Sequence, residues 1–202
     1  MEREKLLDLV NYLADIYPVG DLLNLKDRFP VQIFIVGGFI RDFILGRSRN
    51  RMGIEIDFAL NRDVDKFVSL FAKQMKGHLV LLDEQSKTYR VILERENLYQ
   101  FDFSQFRGGS IEEDISLRDF TINALAIDLE GLRNPAFLKL IDPTEGFKDI
   151  ERRLIRVVSE RSFRDDPLRM VRAFTFSQEL GFEIEPFTER LIKENALYLS
   201  EV

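Results

Sequence analysis

The chain has 202 residues, of which 45% are hydrophobic and 32% are charged, and its formal net charge is −6. This length suffices for a domain with a buried core, while the lack of cysteine excludes disulfide bridges, thiolate zinc sites and a cysteine nucleophile. With only one histidine, any bound metal would be a hard cation held by carboxylates. No apolar run approaches the roughly 20 residues of a membrane helix and no signal-peptide pattern is present, so we expect a soluble, cytoplasmic protein without a membrane partner.

Positive charge is concentrated in one stretch of the chain. Residues 144–175 include eight basic and six acidic residues, so this stretch is +2 and the remainder of the chain is −8. Seven of the eight basic residues are arginines, which are suited to forked hydrogen bonding. The stretch is therefore either a ligand-binding surface or a solvated helical face with internal ion pairs.

The hydrophobic pattern predicts a mixture of helices and strands, followed by helices alone. In chain order it predicts a helix over 2–17, a helical segment to residue 30, a strand over 31–36, a helix over 39–45, a strand over 54–60, a helix over 63–76, strands over 78–82, 89–94 and 99–103, a helix over 119–126, and short strands over 127–129 and 138–141. Beyond residue 143 it predicts helices over 166–180 and 186–198. We expect an N-terminal helical segment (1–30), an α/β (α+β) head with a mixed sheet (31–143), and the start of an all-helical domain (144–202).

A glycine pair and a pair of carboxylates stand close together in the first half of the chain. Gly37 and Gly38 follow the predicted strand 31–36, and adjacent glycines allow the backbone to come close to a phosphate. Glu55 and Asp57 are two residues apart on a strand, so they project to the same side. With a bound divalent cation such a pair is suited to two-metal phosphoryl transfer; the alternative is an ordinary solvent-facing strand.

A second group lies in the segment Leu-Arg-Asp-Phe-Thr-Ile-Asn-Ala at residues 117–124. Arg118 offers a forked donor for phosphate, and Asp119 and Asn123, four residues apart on a predicted helix, are placed to bind ribose hydroxyls. The alternative is that Asp119 only caps the first turn of a helix.

A third group is Phe-Arg-Asp-Asp-Pro-Leu-Arg at residues 163–169, with Arg172 one turn further. Asp165 and Asp166 precede Pro167, which suits a first helical turn, and Asp166 and Arg169 are i, i+3 neighbours. The alternative is a capped helix with an internal ion pair.

These three groups, in this order, resemble the class II tRNA nucleotidyltransferase and bacterial poly(A) polymerase family. The most specific segments are RDFTINALAID, which begins at Arg118, and the linker IDPTEGFKDIERRLIRV, which begins at Ile141. The resemblance implies a nucleotidyltransferase head of the polymerase β type, followed by helical neck, body and tail domains that hold RNA. It also implies addition of CMP and AMP, or of AMP alone, to an RNA 3′ end without a nucleic-acid template.

The resemblance assigns roles to individual residues. Glu55 and Asp57 match the catalytic carboxylates that bind Mg²⁺, and Asp102 lies where some members carry a further acidic residue near the metals. The remaining matches are nucleotide-binding positions: Gly37, Gly38, Arg41 and Asp42 for phosphate, Arg118, Asp119 and Asn123 for ribose and triphosphate, and Asp165, Asp166, Arg169 and Arg172 in and beside the base-selecting block.

The chain departs from the family pattern at three places. Glu55 stands where an aspartate is usual, Leu117 replaces the first arginine of the RRDF signature, and only ten residues separate Arg107 from Arg118. We therefore expect Mg²⁺-dependent transfer of CMP and/or AMP from CTP or ATP to the 3′ end of tRNA, with partial (CC- or A-adding) specificity. The alternatives are a poly(A) polymerase of the same family and a degenerate head that binds nucleotide or RNA without catalysis.

The last segment of the chain predicts an exposed apolar surface. Residues 166–198 supply about two helices, too few to close a helical bundle. We expect an exposed apolar surface there that involves Leu168, Val171, Phe174 or Leu191, covered by further domains or by a second chain.

Overall fold

A computed structural model describes residues 2–47, 53–134 and 138–201. The α-helices in these ranges are α1 (Glu2–Ala14), α2 (Tyr17–Lys26), α3 (Gly38–Ile44), α4 (Val64–Met75), α5 (Ile111–Ser116), α6 (Gly146–Arg152), α7 (Ser162–Asp165), α8 (Leu168–Leu180) and α9 (Pro186–Asn195). The strands are β1 (Ile33–Val36), β2 (Gly53–Leu60), β3 (His78–Asp83), β4 (Thr88–Glu94), β5 (Leu98–Gln105), β6 (Ala126–Asp128), β7 (Leu140–Ile141), β8 (Leu154–Ile155) and β9 (Glu183–Ile184). None of the helices in the described ranges is long and apolar enough to cross a membrane.

Seven strands form one sheet in the order β3-β4-β5-β2-β1-β6-β7. Strands β2 and β5 run parallel, and the other neighbouring pairs are antiparallel. The expected α/β (α+β) fold with a mixed sheet is therefore confirmed, and the sheet is mostly antiparallel.

Most of the hydrophobic core lies on one face of this sheet, under α4. The apolar residues of α4 recur at three- and four-residue intervals, and all except the partly buried Leu70 are buried: Val64, Phe67, Val68, Phe71, Ala72 and Met75. The ring of Phe71 lies 5.7 Å from that of Phe103 on β5, which stacks at 5.0 Å on Phe58 of β2. Much of the phenylalanine content thus fills this face.

The opposite face of the sheet carries a smaller apolar cluster, contributed by β1, β2, β6, α5 and the segment before β6. Its buried members are Phe34, Val36, Ala59, Ile111, Ile115, Ala124 and Ala126. Because side chains alternate between the faces of a strand, Glu55 and Asp57 share this face with Ala59. The two carboxylates therefore lie on the less covered side of the sheet.

The predicted helix over 119–126 is wrong. Only Thr121–Asn123 form a short 3₁₀ turn, and Ala126–Asp128 pair with β1 as strand β6. The segment is held instead by tertiary contacts: Phe120 forms a β-bridge with Val157, and the Thr121 N–H donates to the Arg156 carbonyl. Packing between the sheet and the later helices therefore overrides the helical pattern.

Several further elements differ from the sequence pattern. Helix α1 ends at Ala14, and Pro18 lies in the first turn of α2. Helix α9 ends at Asn195 and is followed by a 3₁₀ segment, Ala196–Glu201. The two-stranded parallel sheet β8–β9 was not indicated in the segment predicted to be all-helical. Helix α5 was missed as well, although Ser110 and Glu113 form a capping pair: Ser110 Oγ accepts from Glu113 N–H, and Glu113 accepts from Gly109 N–H.

Helix α8 presents an apolar surface to solvent. Leu168, Val171 and Phe174, which we call the α8 surface, are each about half exposed, at 50%, 52% and 55%. Leu191 is buried at 7% because α9 turns it into the core. The predicted exposed surface is confirmed for three of the four residues and is wrong for Leu191.

Candidate active site

The glycine turn between β1 and α3 lies directly against the candidate catalytic side chains. Gly37 has a positive φ of 80°, which favours glycine. A Cβ atom at this position would lie 3.2 Å from Arg118 Nη1 and 3.3 Å from Asp57 Oδ2. The missing side chain therefore lets the turn, the Arg118 guanidinium and the Asp57 carboxylate come together.

Strand pairing brings a third carboxylate beside the pair on β2. In the parallel register of β2 and β5, Asp57 lies opposite Asp102. Glu55 is exposed, whereas Asp57 and Asp102 are partly buried. Burial raises the pKa of Asp57 to about 6; the Arg118 charge opposes this shift, and the Asp102 and Glu55 charges add to it. The pKa of Asp57 is thus set mainly by its burial, and neighbouring charges of both signs act on it.

This pKa predicts how stability depends on pH. The folded-state pKa of Asp57, about 6, exceeds the ordinary value of 3.8, so the folded protein binds this proton more tightly than the unfolded chain does. The Asp57 contribution to the free energy of unfolding is therefore fully favourable below about pH 4 and is lost as the pH rises to about 6, by about 3 kcal/mol in total. Asp57→Asn lacks this contribution. Urea unfolding with a chelator present, compared between the two proteins across this range, should show the difference, and a constant difference would contradict the pKa assignment.

Arg90 on β4 binds two of the three carboxylates. Its Nε and Nη2 donate to the two carboxylate oxygens of Asp102, at 2.7 Å each, and Nη2 also lies 3.2 Å from Glu55 Oε1. The sequence pattern did not single out Arg90. The sequence showed only that Arg90 lies on a strand, on the same face as Thr88 and Ile92. That position does not reveal which acidic residues it would bind.

Two arginines that meet at a buried aspartate border the same region. Asp114 accepts from the Arg107 N–H at 3.0 Å and from Arg118 Nη2 at 3.0 Å, and it is almost fully buried. Both arginines line a cavity of about 260 Å³ together with Asp57 and Asp102. The cavity thus combines carboxylates on the sheet with guanidinium groups at its rim. Arg107 and Asp114 were not predicted as site residues.

The phosphate and ribose groups predicted from the sequence form one polar network. Arg41 Nη1 donates to Asn123 Oδ1 at 2.5 Å, and Arg41 Nε donates to Asp42 at 2.9 Å. Asn123 Nδ2 donates to Asp119 Oδ1 at 3.1 Å, and Arg172 pairs with Asp119 at 2.6 Å. Asp119 and Asn123 therefore meet as predicted, although the helix that was expected to bring them together does not form.

This network extends onto helix α8 through an aromatic ring. The guanidinium carbon atoms of Arg41 and Arg172 lie 5.2 Å and 5.4 Å from the centre of the Phe176 ring. Such cation–π contacts stabilise the packing of α8 against α3. Phe176 was not predicted as a site residue, because its spacing on α8 resembles that of any core position.

The third group is joined to the second through backbone carbonyls. Arg169 Nη1 donates to the Arg118 carbonyl at 3.3 Å, and Nη2 donates to the Leu117 carbonyl at 3.1 Å. Asp166 lies 3.7 Å from Arg169 Nε and accepts from the Leu168 N–H, so the predicted i, i+3 pair is present. Asp165 is exposed. Within the described residues, no hydrogen bond or ion pair of its side chain joins it to the other groups.

The carboxylates fit a hard divalent cation by their chemistry. Glu55, Asp57 and Asp102 offer only oxygen atoms, which are the donors that Mg²⁺ prefers. Over residues 2–47, 53–134 and 138–201, no three acidic, histidine or cysteine side chains are grouped so as to hold a metal ion. Arg90 is the cation that two of these carboxylates bind.

Comparison with known proteins identifies the class to which this fold and site belong. The model of the poly A polymerase head domain matches residues 33–156. The chain therefore belongs to the poly A polymerase head domain family.

Individual relatives carry more specific names. The chain is 33% identical over 186 residues to a CC-adding tRNA nucleotidyltransferase of Synechocystis, covering 89% of the chain and 42% of the relative. It is 37% identical over 169 residues to an enzyme of the same name from Geobacter sulfurreducens, covering 84% and 37%. A CCA-adding enzyme solved with CTP superposes with a TM-score of 0.81 at 32% identity, over 98% of this chain and 47% of that one. The chain thus spans less than half the length of these relatives.

Proposed function

We propose that this protein transfers CMP and/or AMP from CTP or ATP to the 3′ end of tRNA, without a nucleic-acid template and with Mg²⁺ as cofactor. The observation that carries the proposal is that Asp57, Asp102 and Arg118 line one cavity, with Gly37 packed against Asp57 and Arg118. Names of relatives support it, because they describe nucleotidyltransferases that add to tRNA and an enzyme solved with CTP.

The metal and the triphosphate are assigned to one end of the site. Glu55 and Asp57, with Asp102, would hold Mg²⁺, which when bound lowers the pKa of the attacking 3′-hydroxyl and stabilises the leaving pyrophosphate. Arg118 lines the cavity beside Asp57, where its forked donors can bind a triphosphate. The Gly37–Gly38 turn leaves room for that phosphate chain, and Arg41, braced by Asp42, adds positive charge next to it.

The nucleoside is assigned to the other end. Asp119 and Asn123 would bind the ribose hydroxyls, and Arg172 holds Asp119 in place. The Asp166 carboxylate would accept a hydrogen bond from the amino group of cytosine or adenine. The Arg169 guanidinium would donate one to the neighbouring ring nitrogen of the same base. Asp165 is assigned to the same base-selecting block as the neighbour of Asp166.

We further propose that addition is partial, with CC addition preferred. The ten residues between Arg107 and Arg118 form the Gly108–Gly109 turn and helix α5, which buried Asp114 anchors to both arginines. Leu117, at the end of this connection, accepts from Arg169. A connection tied down at both ends has little reach with which to reorient the base-selecting side chains from cytosine to adenine.

The specificity proposal predicts the products of a three-substrate assay. With CTP and ATP supplied together, tRNA that ends before CCA is expected to gain two cytidines and then stop, whereas tRNA that ends after CC gains nothing. Chain lengths on a sequencing gel give the answer, and a tRNA already ending in CCA is the control. Completion of the full triplet would contradict partial addition.

Other products of that assay identify the alternatives. Addition of a single adenosine after CC would assign the same pocket to an A-adding enzyme, and a long adenosine tail would assign the chain to the poly(A) polymerases. Retention of nucleotide or RNA without any addition would mark a degenerate binding head.

We also propose that the head ends near residue 143, that the segment 144–202 belongs to a neck, and that further domains or a second chain cover the α8 surface. The supporting observation is that Leu168, Val171 and Phe174 lie together on the exposed face of α8, beside the base-selecting residues. Relatives more than twice as long are consistent with such a cover.

A further inference from the structure

Arg90 has a fixed place among the carboxylates. In the registers of β4, β5 and β2, Arg90 lies opposite Asp102, which lies opposite Asp57. Residues directly opposite one another point to the same face of a sheet, so the three side chains form a row across three strands. The backbone ladder, and not a mobile loop, therefore brings the guanidinium to this point.

The contacts made by Arg90 are those of a strong counter-ion. Its Nε and Nη2 each donate to one carboxylate oxygen of Asp102 at 2.7 Å. This forked arrangement is the strongest way in which a guanidinium binds a carboxylate. Its Nη2 also reaches Glu55 Oε1 at 3.2 Å. Because a guanidinium is not deprotonated in proteins, Arg90 carries a permanent positive charge among these carboxylates.

Building on the proposed function, we propose that Arg90 is a resident counter-ion that Glu55 and Asp102 exchange for a divalent cation. While Arg90 holds these carboxylates, the oxygen atoms that would bind the metal are occupied. A fixed positive charge in the row also repels an incoming cation. Arg90 is thus a positioning residue that keeps the carboxylates ordered and lowers their affinity for free metal.

The same pairing accounts for the glutamate at position 55. Glu55 lies two residues before Asp57, opposite Gln100 and not opposite Asp102, so its carboxylate must extend to reach Arg90. An aspartate would be shorter by one carbon–carbon bond, about 1.5 Å, and would lose this 3.2 Å contact. The additional methylene therefore places the carboxylate on the guanidinium.

Direct measurement of Mn²⁺ binding tests the proposal. Free Mn²⁺ is titrated by electron paramagnetic resonance, without nucleotide, against the wild-type protein, Arg90→Gln, Arg90→Lys and Lys73→Gln. Arg90→Gln removes the competing charge and is expected to bind Mn²⁺ about tenfold more tightly or better. Arg90→Lys keeps the charge without the forked contact and should give an intermediate affinity. Lys73→Gln removes an equal charge from an exposed position of α4 and should leave the affinity unchanged.

Unchanged or weaker Mn²⁺ binding by Arg90→Gln would overturn the proposal. Circular dichroism checks folding, and if Arg90→Gln does not fold, Arg90→Lys decides: tighter binding than wild type supports the counter-ion, and equal or weaker binding rejects it. The titration involves no nucleotide transfer. A protein that transfers no nucleotide but shows the expected order of affinities therefore refutes the proposed function alone.

Discussion

Asp57→Asn is expected to lower the rate of nucleotide transfer by at least about a thousandfold while the fold is retained. Asp57 lies at the centre of the site, beside Gly37 and Arg118 and opposite Asp102. Loss of its charge would remove a ligand on which metal-assisted phosphoryl transfer depends. The measurement is single-turnover incorporation of labelled CMP into tRNA that lacks its 3′ end.

The matched control for this prediction is Asp65→Asn. Asp65 is an exposed carboxylate on α4, which covers the other face of the sheet. The Asp65→Asn protein should incorporate CMP at the wild-type rate. Circular dichroism should give the same spectrum for the Asp57→Asn and Asp65→Asn proteins. Wild-type incorporation by Asp57→Asn would refute the assignment of Asp57 to the metal site.

Arg169→Ala is expected to weaken discrimination against UTP and GTP by about ten- to a hundredfold. Arg169 would donate to the ring nitrogen of cytosine or adenine, and a base without the matching groups leaves polar atoms unpaired, at roughly 1–3 kcal/mol each. The measured quantity is the ratio of kcat/KM for CTP or ATP to that for UTP or GTP.

Two further variants separate base selection from structural damage. Asp166→Asn retains an oxygen that can accept the Leu168 N–H, so it should preserve the start of α8 and still relax base choice. Arg190→Ala removes an exposed arginine from α9 and should leave the ratio unchanged. If Arg169→Ala lowered kcat/KM equally for all four nucleotides, its role would be to hold the carbonyls of Leu117 and Arg118, not to select the base.

Local patterns in the sequence account for much of the fold. The three- and four-residue spacing of apolar residues in α4, the dense apolar run of β1 and the alternation in β2 each depend on neighbours along the chain, so these elements could be predicted. Two details of the site are local in the same way. The turn with positive φ at Gly37 depends on the adjacent glycines, and Asp166 and Arg169 are only three residues apart.

The failures lie where distant segments meet. Residues 119–126 have a helical pattern, but the β-bridge of Phe120 to Val157 and the pairing of β6 with β1 outweigh a propensity worth a fraction of a kcal/mol per residue. Leu191 was expected to be exposed but is buried. Its burial depends on which face of α9 docks on the core, and the spacing of residues along α9 does not specify that face.

The amino-acid sequence by itself determined the family, the glycine turn, the carboxylate pair on β2 and the presence of an uncovered apolar surface on α8. Only the tertiary structure placed Arg90 on Asp102 and Glu55, and Asp114 between Arg107 and Arg118. It also gave the strand register that sets Asp102, which the resemblance assigned to the metals, opposite Asp57. The physical reason is that cross-strand partners follow from the order and register of strands in the sheet. Strands β2 and β5 are parallel neighbours in the sheet although α4, β3 and β4 lie between them along the chain. No local spacing along the chain encodes this pairing.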